Sequence, residues 1–184
     1  PHTSAFASSR RHRHGTKQQR TKTEGNDAFK TRQWANAIAV YSRAVEIDPT
    51  AALYNAQIYC NRAAARMKLT QHAEAAEDCN LAIAADDKYV KAYVRRAECL
   101  LELGSQRQVE QAIQDLHECK RLLGMDAGDG RRRHRRRRDE PQAGGEMGKK
   151  VIGMMKSAEV ALKIAKRKDY NKILGVSRSE RDAK

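Results

Sequence analysis

The sequence predicts an all-α fold: three helix–turn–helix repeats wound into a right-handed superhelix and closed by a C-terminal capping helix. Three observations lead there. Aromatic residues make up 5% of the 184 positions and prolines number three, too few for the turn-rich, aromatic-rich strands of a β-sandwich or barrel. Small residues recur at fixed spacing through three successive segments. No apolar run reaches the roughly eighteen residues that a membrane-spanning helix needs, and no signal-peptide apolar segment follows the N-terminus.

Residues 1–17 are rich in Ser, Arg and His, show no apolar period, and read as a disordered basic segment. The repeats occupy 18–126. The first (18–51) carries Gly25, Ala37, Tyr41 and Ala44. The second (56–89) carries Ala63, Ala75, Cys79 and Ala82, and the third (90–126) carries Ala97, Ala112, Leu116 and Cys119. Counted from each start, small residues fall at positions 8, 20 and 27 and a larger or softer one at 24, with three extra residues in the third repeat, which is the 34-residue tetratricopeptide (TPR) pattern. The small residues let the two helices of a pair approach, and the larger one fills the space between them.

Departures from the period carry information. Four extra residues, Ala52–Asn55, should add about one turn to the first helix of repeat two. Three extra residues near Gly104–Val109 should lengthen the turn of repeat three. Thr16 and Gln19 suit a capping box at the start of the first helix, Gly104 and Gly124 suit helix C-termini, and Trp34 suits packing in the first turn. Four single cysteines, 60, 79, 99 and 119, have no zinc-ligand spacing and read as reduced, packed thiols.

The net charge of +14 is uneven. Residues 18–129 hold fifteen basic and sixteen acidic side chains, a net of −1, whereas residues 1–17 hold +4 and residues 130–184 hold +11. The Arg-rich insertion 127–146 contains Arg131–Arg138, which suits an import signal or a nucleic-acid patch. Without interleaved aromatics for base stacking, it reads better as a solvated insertion with at most non-specific, salt-sensitive affinity for nucleic acid. In 147–168, Val151, Ile152, Met155, Ala158, Leu162 and Ala165 recur at helical spacing, giving a capping helix for the last repeat.

Function points to the first helices of the three pairs. Lys22 and Asn26 are four apart and share a face, as do Lys91 and Arg95, and Asn61 lies on the helix between them. Two lysines, an arginine and two carboxamides gathered without an acid suit the capture of carboxylates through charge-assisted hydrogen bonds. A peptide ending in Asp offers two such groups, its side chain and its C-terminus.

The segments EGNDAF (24–29), YCNRAAA (59–65) and KAYVRRAE (91–98) resemble the carboxylate-clamp TPR domains of Hsp70/Hsp90 co-chaperones. That resemblance implies binding of the chaperones' EEVD C-termini by Lys22, Asn26, Asn61, Lys91 and Arg95, with Phe29, Ala64, Met67 and Lys68 as a groove wall. The segment RKDYNKILGV (167–176) is similar to the opening of a DnaJ-type J domain, with Asn171 in place of its second Tyr, so 169–184 reads as a truncated J-domain start. Together these imply a TPR-containing DnaJ co-chaperone. Beginning at Pro1 without Met and ending before the His-Pro-Asp tripeptide of such a domain, the chain reads as a fragment that keeps a docking module.

No phosphate-binding Gly-rich loop, H-E-x-x-H or acid–base pair is present, so the expectation is a non-enzymatic adaptor without cofactor, metal or small-molecule substrate. It is expected to be monomeric, cytoplasmic with a nuclear alternative, and partnered by Hsp70 or Hsp90 tails. The alternatives are a TPR scaffold for a non-chaperone partner, or nucleic-acid binding through the basic flanks.

Overall fold

A computed structural model describes residues 2–125 and 145–174, with side chains for 15–125 and 145–167. Among the described residues there are seven helices and no strand: α1 (His2–Lys30), α2 (Trp34–Ile47), α3 (Ala52–Lys68), α4 (His72–Ala85), α5 (Val90–Leu103), α6 (Gln106–Leu122) and α7 (Gly145–Leu174). The Arg131–Arg138 run and the end of the J-like segment, 175–184, lie outside the described residues. The chain divides into two compact units, Pro1–Cys99 and Leu100–Lys184.

In the first unit, α1 pairs with α2 and α3 with α4, and α2 joins the pairs by packing on α3. The repeat positions make the core. Ala28, Ala37, Tyr41, Ala44, Ile58 and Ala65 form one buried cluster, and Cys60, Ala82 and Ala92 form a second that ties α5 to α3 and α4. Trp34 opens α2 rather than lying in the turn, and its ring meets Phe29 edge-on at 4.8 Å. α1 begins at His2, so the disordered segment expected over 1–17 is helical from residue 2, and Thr16 and Gln19 sit inside the helix instead of capping it. Once residues 18–30 are fixed by packing, each added residue gains a hydrogen bond without a new nucleation cost, and the helix extends backwards.

Polar groups buried between helices are matched. Gln18 donates to the Ala44 carbonyl at 3.0 Å and to Asn55 Oδ1 at 2.8 Å, and Asn55 donates to the carbonyls of Asp48 and Pro49 at 2.9 and 3.2 Å. The extra turn of α3 thus supplies an amide that satisfies carbonyls left open at the end of α2. Asp78, 1% exposed, accepts both Arg62 (Nη2 at 2.6 Å) and Arg66 (Nη1 at 2.9 Å), and Arg62 also donates to Ser42 Oγ at 2.8 Å. One carboxylate therefore links α2, α3 and α4.

The first helices of the pairs end alike. Arg32 (φ 61°), Thr70 (φ 59°) and Gly104 (φ 70°) each adopt the left-handed conformation just past α1, α3 and α5. At the first two, paired bonds complete a Schellman motif: Gln33 N–H to Ala28 and Arg32 N–H to Phe29, then Gln71 N–H to Arg66 and Thr70 N–H to Met67. Gly124 (φ 66°) closes α6 the same way, so both glycines act as the sequence predicts.

In the second unit the three extra residues of repeat three extend α6 to 17 residues, leaving only Gly104 and Ser105 between α5 and α6. The expected longer turn is absent because Ser105 and Gln108 form a capping box that starts the helix early. α7 packs on α6. Its buried residues Val151, Ala158 and Ala165 are seven apart and form one stripe, whereas Ile152, assigned to that stripe from sequence, is 42% exposed. Ile152 lies about 100° around the helix from Val151, which turns it outward. All four cysteines are buried on helices and none forms a disulfide. Among the described residues, no helix is long and apolar enough to cross a membrane.

Candidate functional site

Within the first unit, α1, α2, α3 and α5 enclose a concavity of about 230 Å³ lined by Asn26, Phe29, Lys30, Tyr41, Asn61, Ala64 and Arg95. Five sequence-selected residues therefore line it: Asn26, Asn61, Arg95, Phe29 and Ala64. Met67 and Lys68 are not among the lining residues; Lys68 ends α3 and is exposed. Lys30 and Tyr41 are lining residues that the sequence reading did not select. Lys30 lies one turn beyond Asn26 and pairs with Asp27 at 3.2 Å. The signal for Tyr41 was the hydroxyl it brings to a position where the other repeats carry Cys79 and Leu116.

Asn61 Nδ2 donates to Asn26 Oδ1 at 3.2 Å, and the Tyr41 hydroxyl donates to the same oxygen at 2.8 Å. Both donors converge on one acceptor, so the Asn26 amide is oriented with its NH₂ group free of these bonds. Burial pushes the Tyr41 phenol up to about 12, the Arg95 charge opposing and Asp27 adding to the shift, so Tyr41 remains a donor at neutral pH. Arg95 Nη1 donates to the Cys60 carbonyl at 2.6 Å and to its Sγ at 2.8 Å. Cys60 precedes Asn61, so Arg95 is fastened to the backbone directly behind a second site residue.

Lys22 lies one turn before Asn26. Its ammonium donates to Gln57 Oε1 at 2.6 Å and sits 4.6 Å from the centre of the Tyr54 ring. Partial burial lowers its pKa from the ordinary lysine value. Lys91 is exposed in the first turn of α5, and its charge reaches the Cys60 thiol. Among the described residues, Lys22, Lys91 and Arg95 form no ion pair with an acid; all three lie on α1 or α5, which border the concavity, but of the three only Arg95 is itself a lining residue. Such an arrangement presents positive charge and amide donors to an anionic ligand, and a carboxylate can accept from several at once.

Helix pairs of this register around such a concavity define a tetratricopeptide-repeat fold. The chain is homologous to the protein "DnaJ homolog subfamily C member 7" of Mus musculus, at 35% identity over 158 residues, 86% of this chain. The match spans 27% of that relative, so the chain corresponds to about a quarter of its length. No family model matches the chain. Among solved structures, the first TPR of Spaghetti (RPAP3) bound to the HSP90 peptide SRMEEVD is 26% identical over 80% of this chain and 94% of that one, with a TM-score of 0.61. The second TPR domain of human RPAP3, in complex with the HSP70 peptide SGPTIEEVD, is 27% identical over 76% of this chain and 92% of that one, with a TM-score of 0.56.

Proposed function

We propose that this chain is a docking module that binds the acidic EEVD C-termini of Hsp70 and Hsp90 through a carboxylate clamp and acts as a non-enzymatic, monomeric adaptor in protein folding. The observation that carries this reading is the meeting of Asn26 and Asn61, 3.2 Å apart, in a concavity that Arg95 also lines. Lys22, Asn26 and Asn61 hold the terminal carboxylate. Lys91 pairs with the side chain of the last Asp, and Arg95 contacts that Asp or the backbone just upstream. Phe29 and Ala64, both lining the concavity, form the wall beside the preceding apolar residue of the peptide. The likeness to two domains whose ligands are EEVD peptides supports the same ligand class here.

Ordering a tail and losing its translational freedom offset much of the charge-assisted bonding, so the expected affinity is on the order of micromolar. Calorimetry with a peptide ending in EEVD, beside the same peptide amidated at its C-terminus, tests the reading. Lys91→Ala should weaken the free-acid peptide by about 1.5–3 kcal/mol, roughly ten- to a hundredfold, with helicity unchanged. Equal affinity for the two peptides, or an unaffected Lys91→Ala chain, refutes the clamp.

A further inference from the structure

Three polar rungs join α1 to α3, each between residues 35 apart: Tyr54 donates to Gln19 at 2.5 Å, Lys22 to Gln57 at 2.6 Å, and Asn61 to Asn26 at 3.2 Å. Positions 19, 22 and 26 lie on one face of α1, and 54, 57 and 61 on one face of α3. The innermost rung lines the concavity, whereas the outer two surround Lys22. Tyr54 belongs to the four residues that lengthen α3, so the outermost rung comes from the insertion.

We propose that Tyr54 and Gln57 are positioning residues that hold the Lys22 ammonium for the terminal carboxylate of a bound peptide. This rests on the clamp reading above and names what sets the strength of its first cation. A lysine has a long, freely rotating stem, and part of its binding energy is ordinarily lost in ordering it. Here the Tyr54 ring face attracts the ammonium electrostatically from 4.6 Å and the Gln57 carbonyl accepts one of its three protons. Both partners are neutral. They fix the direction of the charge without cancelling it, and two ammonium protons stay available to a carboxylate. The Gln19 bond to the Tyr54 hydroxyl in turn fixes the ring.

The test is calorimetry of the full chain with the free-acid and amidated peptides. Tyr54→Leu keeps apolar bulk beside the core cluster that Tyr54 borders but removes the ring face. It should weaken the free-acid peptide roughly two- to fivefold, and Gln57→Ala should weaken it in the same direction. Tyr54→Phe, which keeps the ring but loses its bond to Gln19, should fall between Tyr54→Leu and the parent. Affinity for the amidated peptide should not change, and Tyr54→Leu should add nothing in a Lys22→Ala background. Full affinity in Tyr54→Leu overturns the proposal, as does an equal loss for both peptides or a further loss in the Lys22→Ala background, since either marks a general packing role. A Lys22→Ala chain that binds like the parent would be a different failure, that of the clamp itself.

Discussion

The ring of Tyr41 lies against the backbone of Gly25 so closely that a Cβ at position 25 would stand 2.6 Å from Tyr41 Cε1. That approach allows the Tyr41 hydroxyl to reach Asn26, the residue next to Gly25, and so couples α1–α2 packing to the site. Gly25→Ala would gain about 1 kcal/mol of helix propensity, but it must displace a ring that is only 2% exposed, at about 1–3 kcal/mol. We expect a net loss of stability in urea unfolding together with weaker peptide binding. A more stable variant with unchanged binding would show that the ring gives way freely.

Asp78, buried, is shared by two arginines of the first unit. Replacing it by Asn leaves the partly buried guanidinium groups of Arg62 and Arg66 without their shared carboxylate, and should cost about 3–5 kcal/mol. Asp27→Asn removes an exposed pair with Lys30 and should cost less than about 1 kcal/mol. Chemical denaturation of the two variants side by side decides this; similar losses would contradict it.

Two turns hold non-glycine residues in the left-handed region. Thr70 is β-branched and Arg32 bears a long side chain, yet both match Gly104 in conformation. Relief of the steric cost outweighs the added entropy of the unfolded chain, so Thr70→Gly and Arg32→Gly should each stabilise by about 0.5–1 kcal/mol. Gly104→Ala, with the same φ, should destabilise by about 1 kcal/mol. Thermal unfolding gives the sign of each, and a destabilised Thr70→Gly would refute the account.

The first unit should weaken in alkali. Burial raises the Cys99 thiol from 9.0 to about 12 and the Tyr41 and Tyr89 phenols from 10.0 to about 12, and it raises Cys60 and Cys79 as well. The folded chain keeps protons that the unfolded chain releases. The stabilisation is therefore complete below pH 9 and is lost as pH climbs through the window from 9 to 12, at about 1.4 kcal/mol per pH unit for each proton so held. The urea midpoint should be level from pH 7 to 8 and lower at pH 10.5, and a flat profile to pH 11 would contradict this.

The sequence by itself determined the helix pairs. Contacts between paired helices depend on side-chain size at fixed spacing, so Ala37, Ala44, Ala63, Ala75 and Ala82 announced their burial before any coordinates. The added turn of α3 followed from the break in period at Ala52–Asn55, and Gly104 and Gly124 followed from the freedom of glycine at φ > 0. Asn26, Asn61 and Arg95 were legible because helical spacing assigns a residue to a face, and all three line the concavity.

Tertiary structure alone decided what those faces touch. Nothing near Thr70 or Arg32 in the sequence marks a left-handed residue, since neither is the glycine that would announce it. The start of α1 at His2 and the capping box at Ser105 turned on which of several local options packing stabilised. Tyr41 entered the site through its hydroxyl, and Lys22 received Tyr54 and Gln57 as neighbours, across separations of 15, 32 and 35 residues. Spacing along one helix fixes the direction of a side chain, but its partner on another helix is set only when the two helices meet at a particular register and rotation.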